Sequence, residues 1–330
     1  MNRNVFRAAA PAALVLLLVT ACGGQNEAEA ENPDTEGATT DAGSGDEGLS
    51  GEVLADGSST VAPLTSAAGE LFKMENSGVN VSVGTSGTGG GFEVFCQDQT
   101  DISNASRPIK DEEAALCAEN GVEFTELQVA TDALTVVVSA ENDFIQCLTT
   151  DELATLWGPE AEGAITTWDQ VNPAFPAEPI ELFGPGTDSG TFDYFTDEIN
   201  GEEGASRTDY NASEDDNVLV QGVSGSPNAL GYFGYTYFEE NAEALKAVEI
   251  DSGAGCVAPS AETAADGSYT PLARPLFIYV NNASFAEKPQ VAEFVRFYAE
   301  RDAEIAEAAQ YIPLDDAKAE ALQGAVASLG

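Results

Sequence analysis

A chain of 330 residues with 43% hydrophobic content exceeds the size at which one core usually stops growing, so two lobes are expected. Its 57 acidic residues against 12 basic ones leave a formal net charge of −45, a surface that repels nucleic acid and anionic lipid headgroups. There is no histidine, which excludes Ser-His-Asp triads, imidazole bases and most zinc-site patterns.

The N-terminus reads as an export signal over residues 1–21: Arg3 and Arg7 are followed by an apolar run from Ala8 to Val19, too short to span a bilayer comfortably. Val19-Thr20-Ala21-Cys22 has the pattern of a lipobox, in which the chain is cut before Cys22 and that cysteine is acylated. Residues 22–50 are Gly, Ser, Thr, Ala and acids with almost no large apolar side chain, the composition of a disordered acidic tether.

Glu52-Val53-Leu54-Ala55 predicts a short strand running into the turn Asp56-Gly57-Ser58-Ser59-Thr60. A helix follows, with Pro63 in its first turn and Leu64, Ala67, Ala68, Leu71 and Phe72 on one face. Val79–Val83 alternates like a strand and leads into a second Gly/Ser/Thr turn, 84–91, with Ser86 near its start. That turn lacks the Gly-Lys-Ser/Thr of a P-loop, and Phe92 stands where a dinucleotide fingerprint needs glycine. A third strand ends at Ser106-Arg107-Pro108, and Arg107 stands out because bases are scarce and its fork of donors suits a tetrahedral oxyanion. After a helix near Asp111–Ala118, two strands are predicted, Phe124–Ala130 and the β-branched Leu134–Ser139. Alternating strands, turns and helices predict α/β layers on a mainly parallel sheet.

A short helix over Leu153–Trp157 precedes the strand Ile180–Phe183, which reaches Gly186-Thr187-Asp188-Ser189-Gly190-Thr191. Apolar positions at Phe192, Phe195 and Ile199 then mark one face of a helix. A strand, a Ser/Thr/Gly turn and a helix start place free N–H groups and hydroxyls at one point, which suits an oxyanion. The same stretch contains DSGT, and Asp251-Ser252-Gly253 offers a partner for an aspartyl hydrolase built on Asp188 and Asp251. That reading is disfavoured, because both lie within one presumed lobe and Asp188 follows a Gly-Pro-Gly turn. Towards the C-terminus, Arg274–Val280 predicts a strong strand and Gln290–Ala309 one amphipathic helix. With Cys22 set aside, Cys96, Cys117, Cys147 and Cys256 form two disulfides in an exported protein. Of the three pairings, Cys96–Cys117 and Cys147–Cys256 is preferred: the first closes a local loop and the second stays in one lobe.

The turns 56–60 and 85–89, Ser106-Arg107-Pro108-Ile109, Asp188–Thr191, Asp215–Val223, Leu230-Gly231-Tyr232 and Arg274–Val280 together resemble, in order, the phosphate-binding proteins (PstS) of phosphate ABC transporters. The resemblance implies a type II, two-lobed periplasmic-binding-protein fold of the α/β class. The outer lobe would comprise 51–134 and 275–330 and the inner lobe 135–274, with hinges near Ala130–Thr135 and Pro271–Pro275. It implies a monomeric, lipid-anchored, extracytoplasmic protein that captures inorganic phosphate, hands it to an ABC permease, and needs neither metal nor cofactor. Sulfate or molybdate is the alternative ligand. The implied ligands are Ser58, Ser59, Thr60, Ser86, Arg107, Asp188, Ser189, Gly190 and Thr191, with Asp188, Asp56 or Asp132 accepting the phosphate proton. Well-known members of that family carry Asp in place of Arg107, and Arg in place of Pro185.

Overall fold

In a computed structural model, residues 48–187 and 189–330 are described; they belong to one compact unit, Glu47–Gly330. The predicted export signal, Cys22, most of the predicted acidic tether, and Asp188 lie outside the described residues.

The strands, in chain order, are β1 (Ser50–Gly57), β2 (Gly78–Val83), β3 (Ile102–Ala105), β4 (Phe124–Ser139), β5 (Cys147–Thr149), β6 (Glu181–Gly184), β7 (Asn211–Ala212), β8 (Ala229–Gly234), β9 (Leu245–Ala247), β10 (Glu249–Asp251), β11 (Cys256–Val257) and β12 (Ala273–Asn281). Nine of them form one sheet, eight in the order β2-β1-β3-β12-β4-β8-β6-β7 and β9 beside β4; β11, β10 and β5 make a separate sheet. The sheet is mixed, where a mainly parallel one was predicted. β1 runs parallel to β2 and β3, and β6 to β7 and β8, but β4 and β12 are antiparallel to each other and to their other main-sheet neighbours.

Strand β4 organises the molecule. Its first part, Phe124–Ala133, pairs with β12, and Leu134–Val138 pairs with β8. The two largest cores divide at the same place. One is built from residues 53–130 and 276–326, among them Phe72, Leu127, Ile278 and Phe294; the other spans residues 134–272, among them Leu134, Trp157, Phe195 and Tyr232. Two separate strands, Phe124–Ala130 and Leu134–Ser139, were predicted across this region. The strand continues because Asp132 is register partner of Arg274 on β12 and pairs with its guanidinium, so the charge has a neighbour inside the sheet.

The helices follow their predicted apolar faces. Ala62–Glu75 has Pro63 in its opening turn and buries Leu64, Ala68 and Phe72; Asp111–Asn120 ends at Gly121 in the left-handed region, φ +72°. The predicted C-terminal helix is two, Pro289–Glu300 and Asp302–Ala308, because Arg301 leaves helical geometry at φ −116°, ψ 20° and anchors Glu75 and Glu304 instead. Disulfides join Cys96 to Cys117 and Cys147 to Cys256, the preferred pairing.

Asp101, on the approach to β3 and only 1% exposed, accepts from Leu54 N (2.9 Å), Ser284 Oγ (2.7 Å) and Lys288 Nζ (2.6 Å), tying β1 to the C-terminal helices. Asp101→Ala strips three donors of their acceptor at once. It should lower the unfolding free energy in denaturant titrations by about 2–4 kcal/mol, the cost of leaving buried donors without an acceptor.

Candidate anion-binding cleft

Four strand-end turns carry the predicted site residues. The first follows β1. Gly57 sits at φ +135°, and a Cβ there would lie 2.2 Å from Asn104 O, so only glycine fits. Ser58 is buried; its N–H donates to Asn104 O (2.9 Å) and its carbonyl accepts from Val61 and Ala62, which starts the helix Ala62–Glu75. Ser59 is exposed, whereas Thr60 is buried.

The second turn is held to the first by Asp56. Its Oδ1 accepts from Gly57 N (2.7 Å) and Ser86 N (3.0 Å), and Ser86 is the residue before helix Gly87–Phe95. Thr88 continues the chain of contacts to the third turn, its Oγ1 lying 3.1 Å from Ser106 Oγ. Arg107 follows Ser106. Its Nη1 and Nη2 donate to Glu113 Oε2 (2.8 Å) and Oε1 (2.7 Å), and the bond to Glu113 raises the guanidinium pKa above its ordinary value. Burial tends to raise the Glu113 carboxyl, but Arg107 and the Lys110 N–H outweigh it and hold the acid below the ordinary range.

The fourth turn lies at the start of helix Gly190–Asn200. Ser189 caps it, Oγ accepting from Thr191 N at 3.2 Å. A Cβ on Gly190 would stand 2.9 Å from Thr60 Oγ1 and 3.4 Å from Ser59 Oγ, so this helix start lies directly against the first turn. Residues more than a hundred positions apart thus bring free helix N–H groups and several hydroxyls together, a donor set suited to an oxyanion.

The cation at this junction is Arg274. Its Nη2 donates to Thr60 Oγ1 (2.9 Å), its Nε to Asp132 Oδ2 (3.2 Å), and the guanidinium carbon stands 3.6 Å from the Tyr194 ring centre. The Arg274 side chain is 16% exposed and that of Asp132 7%, against 32% for Arg107. Tyr311 OH donates to Thr60 O (2.8 Å), closing the turn from the C-terminal segment. Burial pushes the Asp132 carboxyl up, with Arg274 opposing the shift. A cavity of about 180 Å³ opens beside this cluster, lined by Asp132, Thr191, Asp216, Tyr235, Tyr237 and Tyr311 among others. Burial, and then Asp215 and Glu214, push Asp216 up to about 6.

The sequence assigned the cation to Arg107 and treated Arg274 only as the first residue of a strand. Arg274 could have been singled out by the same scarcity of bases that drew attention to Arg107, and by its place inside the expected hinge Pro271–Pro275. Of the three candidate carboxylates, Asp56 serves the backbone of the first two turns and Asp132 faces Arg274. Asp251 sits in the smaller sheet, its Oδ1 accepting from Gly253 N and Gly255 N within its own turn.

Residues 34–302 match the family model described as the PBP superfamily domain. Protein SphX of Synechocystis is 49% identical over 264 residues, covering 80% of this chain and 79% of that protein. The phosphate-binding protein PstS of Staphylococcus saprophyticus is 39% identical over 299 residues, 90% of this chain and 86% of that one. The chain belongs to the PstS family of the PBP superfamily. A crystal structure described as a possible phosphate binding protein from Planctomyces limnophilus superposes with a TM-score of 0.80 at 44% identity, over 85% of this chain and 99% of that one. The two-lobed periplasmic-binding-protein fold follows, and in this PstS-family chain the turns after β1 and β6 meet beside a guanidinium.

Asp216 should make the stability of the protein pH-dependent. With its carboxyl pushed up to about 6 in the folded state, against about 4 unfolded, the folded state holds the extra proton between these values and stability falls as pH rises. Asp216→Asn should flatten that decline between pH 4 and 6 in thermal unfolding; an unchanged slope would place the titration elsewhere.

Proposed function

We propose that this protein is an extracytoplasmic, lipid-anchored receptor that captures inorganic phosphate between two lobes, 51–134 with 275–330 and 135–274, and delivers it to an ABC permease. The observation that carries this reading is the meeting of the Ser59-Thr60 turn and the Ser189-Gly190-Thr191 helix start beside the buried guanidinium of Arg274. The family relationship supports the ligand class; the lipobox at Cys22 supports the anchor. Among the described residues no helix is long and apolar enough to cross a membrane.

In this reading the ligand lies at the junction of the turns. Ser59, Thr60, Ser86, Ser189 and Thr191 supply hydroxyls, Gly190 supplies an N–H without a side chain in the way, and Ser58 shapes the first turn from its buried position. Arg274 supplies the buried charge, and Arg107, braced by Glu113, supplies a second, more exposed one. Asp132 provides discrimination. Phosphate near neutral pH carries a P–OH proton that a buried carboxylate can accept, whereas sulfate has none and would set its charge against the carboxylate with no proton between them. The process involves no covalent chemistry. Opening would bend the chain where β4 and the start of β12 pass between the cores.

Calorimetric titration with phosphate, repeated in excess sulfate and molybdate, tests this directly: saturable heat that sulfate does not suppress is expected, and no heat with no thermal shift would sink it. Arg274→Gln should weaken phosphate binding by about 2–4 kcal/mol, the cost of losing a buried charge partner, and Arg107→Gln by less because its charge is better hydrated. The opposite ranking would return the principal role to Arg107. Asp132→Asn should narrow the preference for phosphate over sulfate, seen in the ratio of the two Kd values.

A further inference from the structure

We propose that Tyr194 is a positioning residue for the anion site, holding Arg274 in the one orientation from which it serves both Thr60 and Asp132. This rests on the phosphate reading above and adds a residue that does not itself touch the ligand. Tyr194 lies one turn after Gly190 on helix Gly190–Asn200, so both residues present themselves on the same side of the helix. Gly190 faces Thr60 Oγ1, the atom to which Arg274 donates, and the Tyr194 ring lies 3.6 Å from the same guanidinium. One helix therefore carries the N-terminal donors and the surface against which the cation rests.

The ring is itself held firmly. Tyr194 is 5% exposed and its hydroxyl donates to Pro271 O at 2.5 Å, three residues before Arg274 on the segment leading into β12. Ring and guanidinium are thus tied twice, by stacking and through the backbone that carries the arginine. A planar guanidinium over an aromatic face gains cation–π attraction while its edge nitrogens stay free for hydrogen bonds. Here the edge bonds go to Thr60 beside the first core and Asp132 at the crossing on β4, while Tyr194 packs in the second core. Tyr194 thereby conveys the placement of the second core to the charge that the first turn uses. An ammonium lacks the plane needed for this arrangement, so lysine at position 274 would retain the charge and lose the orientation.

The test is a double-mutant cycle read by phosphate calorimetry on the full chain. Tyr194→Leu should weaken binding about 10- to 30-fold, in line with a desolvated cation–π contact, and Tyr194→Phe, which keeps the ring, should weaken it less. In an Arg274→Gln background the further loss from Tyr194→Leu should shrink to about twofold or less, because the residue acts through the arginine. A purely structural role would lower the thermal midpoint and give losses that multiply; multiplying losses, or a Tyr194→Leu protein within about twofold of the parent, overturn the proposal. Should Tyr194→Leu fail to fold, Arg274→Lys decides: about tenfold weaker binding supports orientation by stacking, and parental affinity overturns it. Absence of phosphate binding by the unaltered protein would instead overturn the phosphate reading itself, a distinguishable result.

Discussion

In a chain whose acidic residues outnumber its basic ones by 45, a single mostly buried guanidinium touches three parts of the molecule that sequence keeps far apart. Arg274 bonds Thr60 on the first turn and Asp132 on the long strand, and stacks on Tyr194 from the fourth turn's helix. A charge at that depth is tolerated only when paired and hydrogen-bonded, and these partners supply both. Once Arg274 is placed, the approach of Gly190 to Thr60 and the continuity of β4 through an aspartate follow from the same contacts.

The position of that pair matters as much as its chemistry. Asp132 and Arg274 are register partners on β4 and β12, the strands that leave one core for the other. The stretch where hinge bending is expected is therefore also where the site's charge is held. Movement of one core relative to the other would alter the geometry of the guanidinium and its carboxylate. In the proposed reading, capture and closure would share one structural element.

Much of this was legible in residue patterns. Alternation marked β2, Pro63 marked a helix start, and the Ser/Thr/Gly stretches marked the turns at strand ends, because each is a local signal read over a few residues. The parity and spacing of the cysteines were enough to favour the two disulfides. What escaped was non-local. Asp132 was named as a candidate acceptor, but its pairing with a residue 142 positions away could not be read, and Arg274 reads as a strand start until Thr60 and Tyr194 are beside it. Arg107 attracted attention because bases are scarce, yet its two terminal nitrogens are engaged by Glu113, only six residues on. The split of the C-terminal helix at Arg301 was hidden because the apolar spacing continues across it.

An acidic surface and an anion site are compatible because they act at different ranges. Exposed charges are screened beyond about 10 Å at moderate salt, while helix N–H groups, hydroxyls and a buried guanidinium act at contact distance in a less polar medium. On the proposed reading, the overall field would slow encounter and the local donors would set affinity. The most direct measurement is a crystal structure of the protein grown with phosphate. The account predicts tetrahedral density at the junction of Ser59-Thr60 and Ser189-Gly190-Thr191, within hydrogen-bonding reach of Arg274. Density at another place, or an empty junction at saturating phosphate, would contradict it.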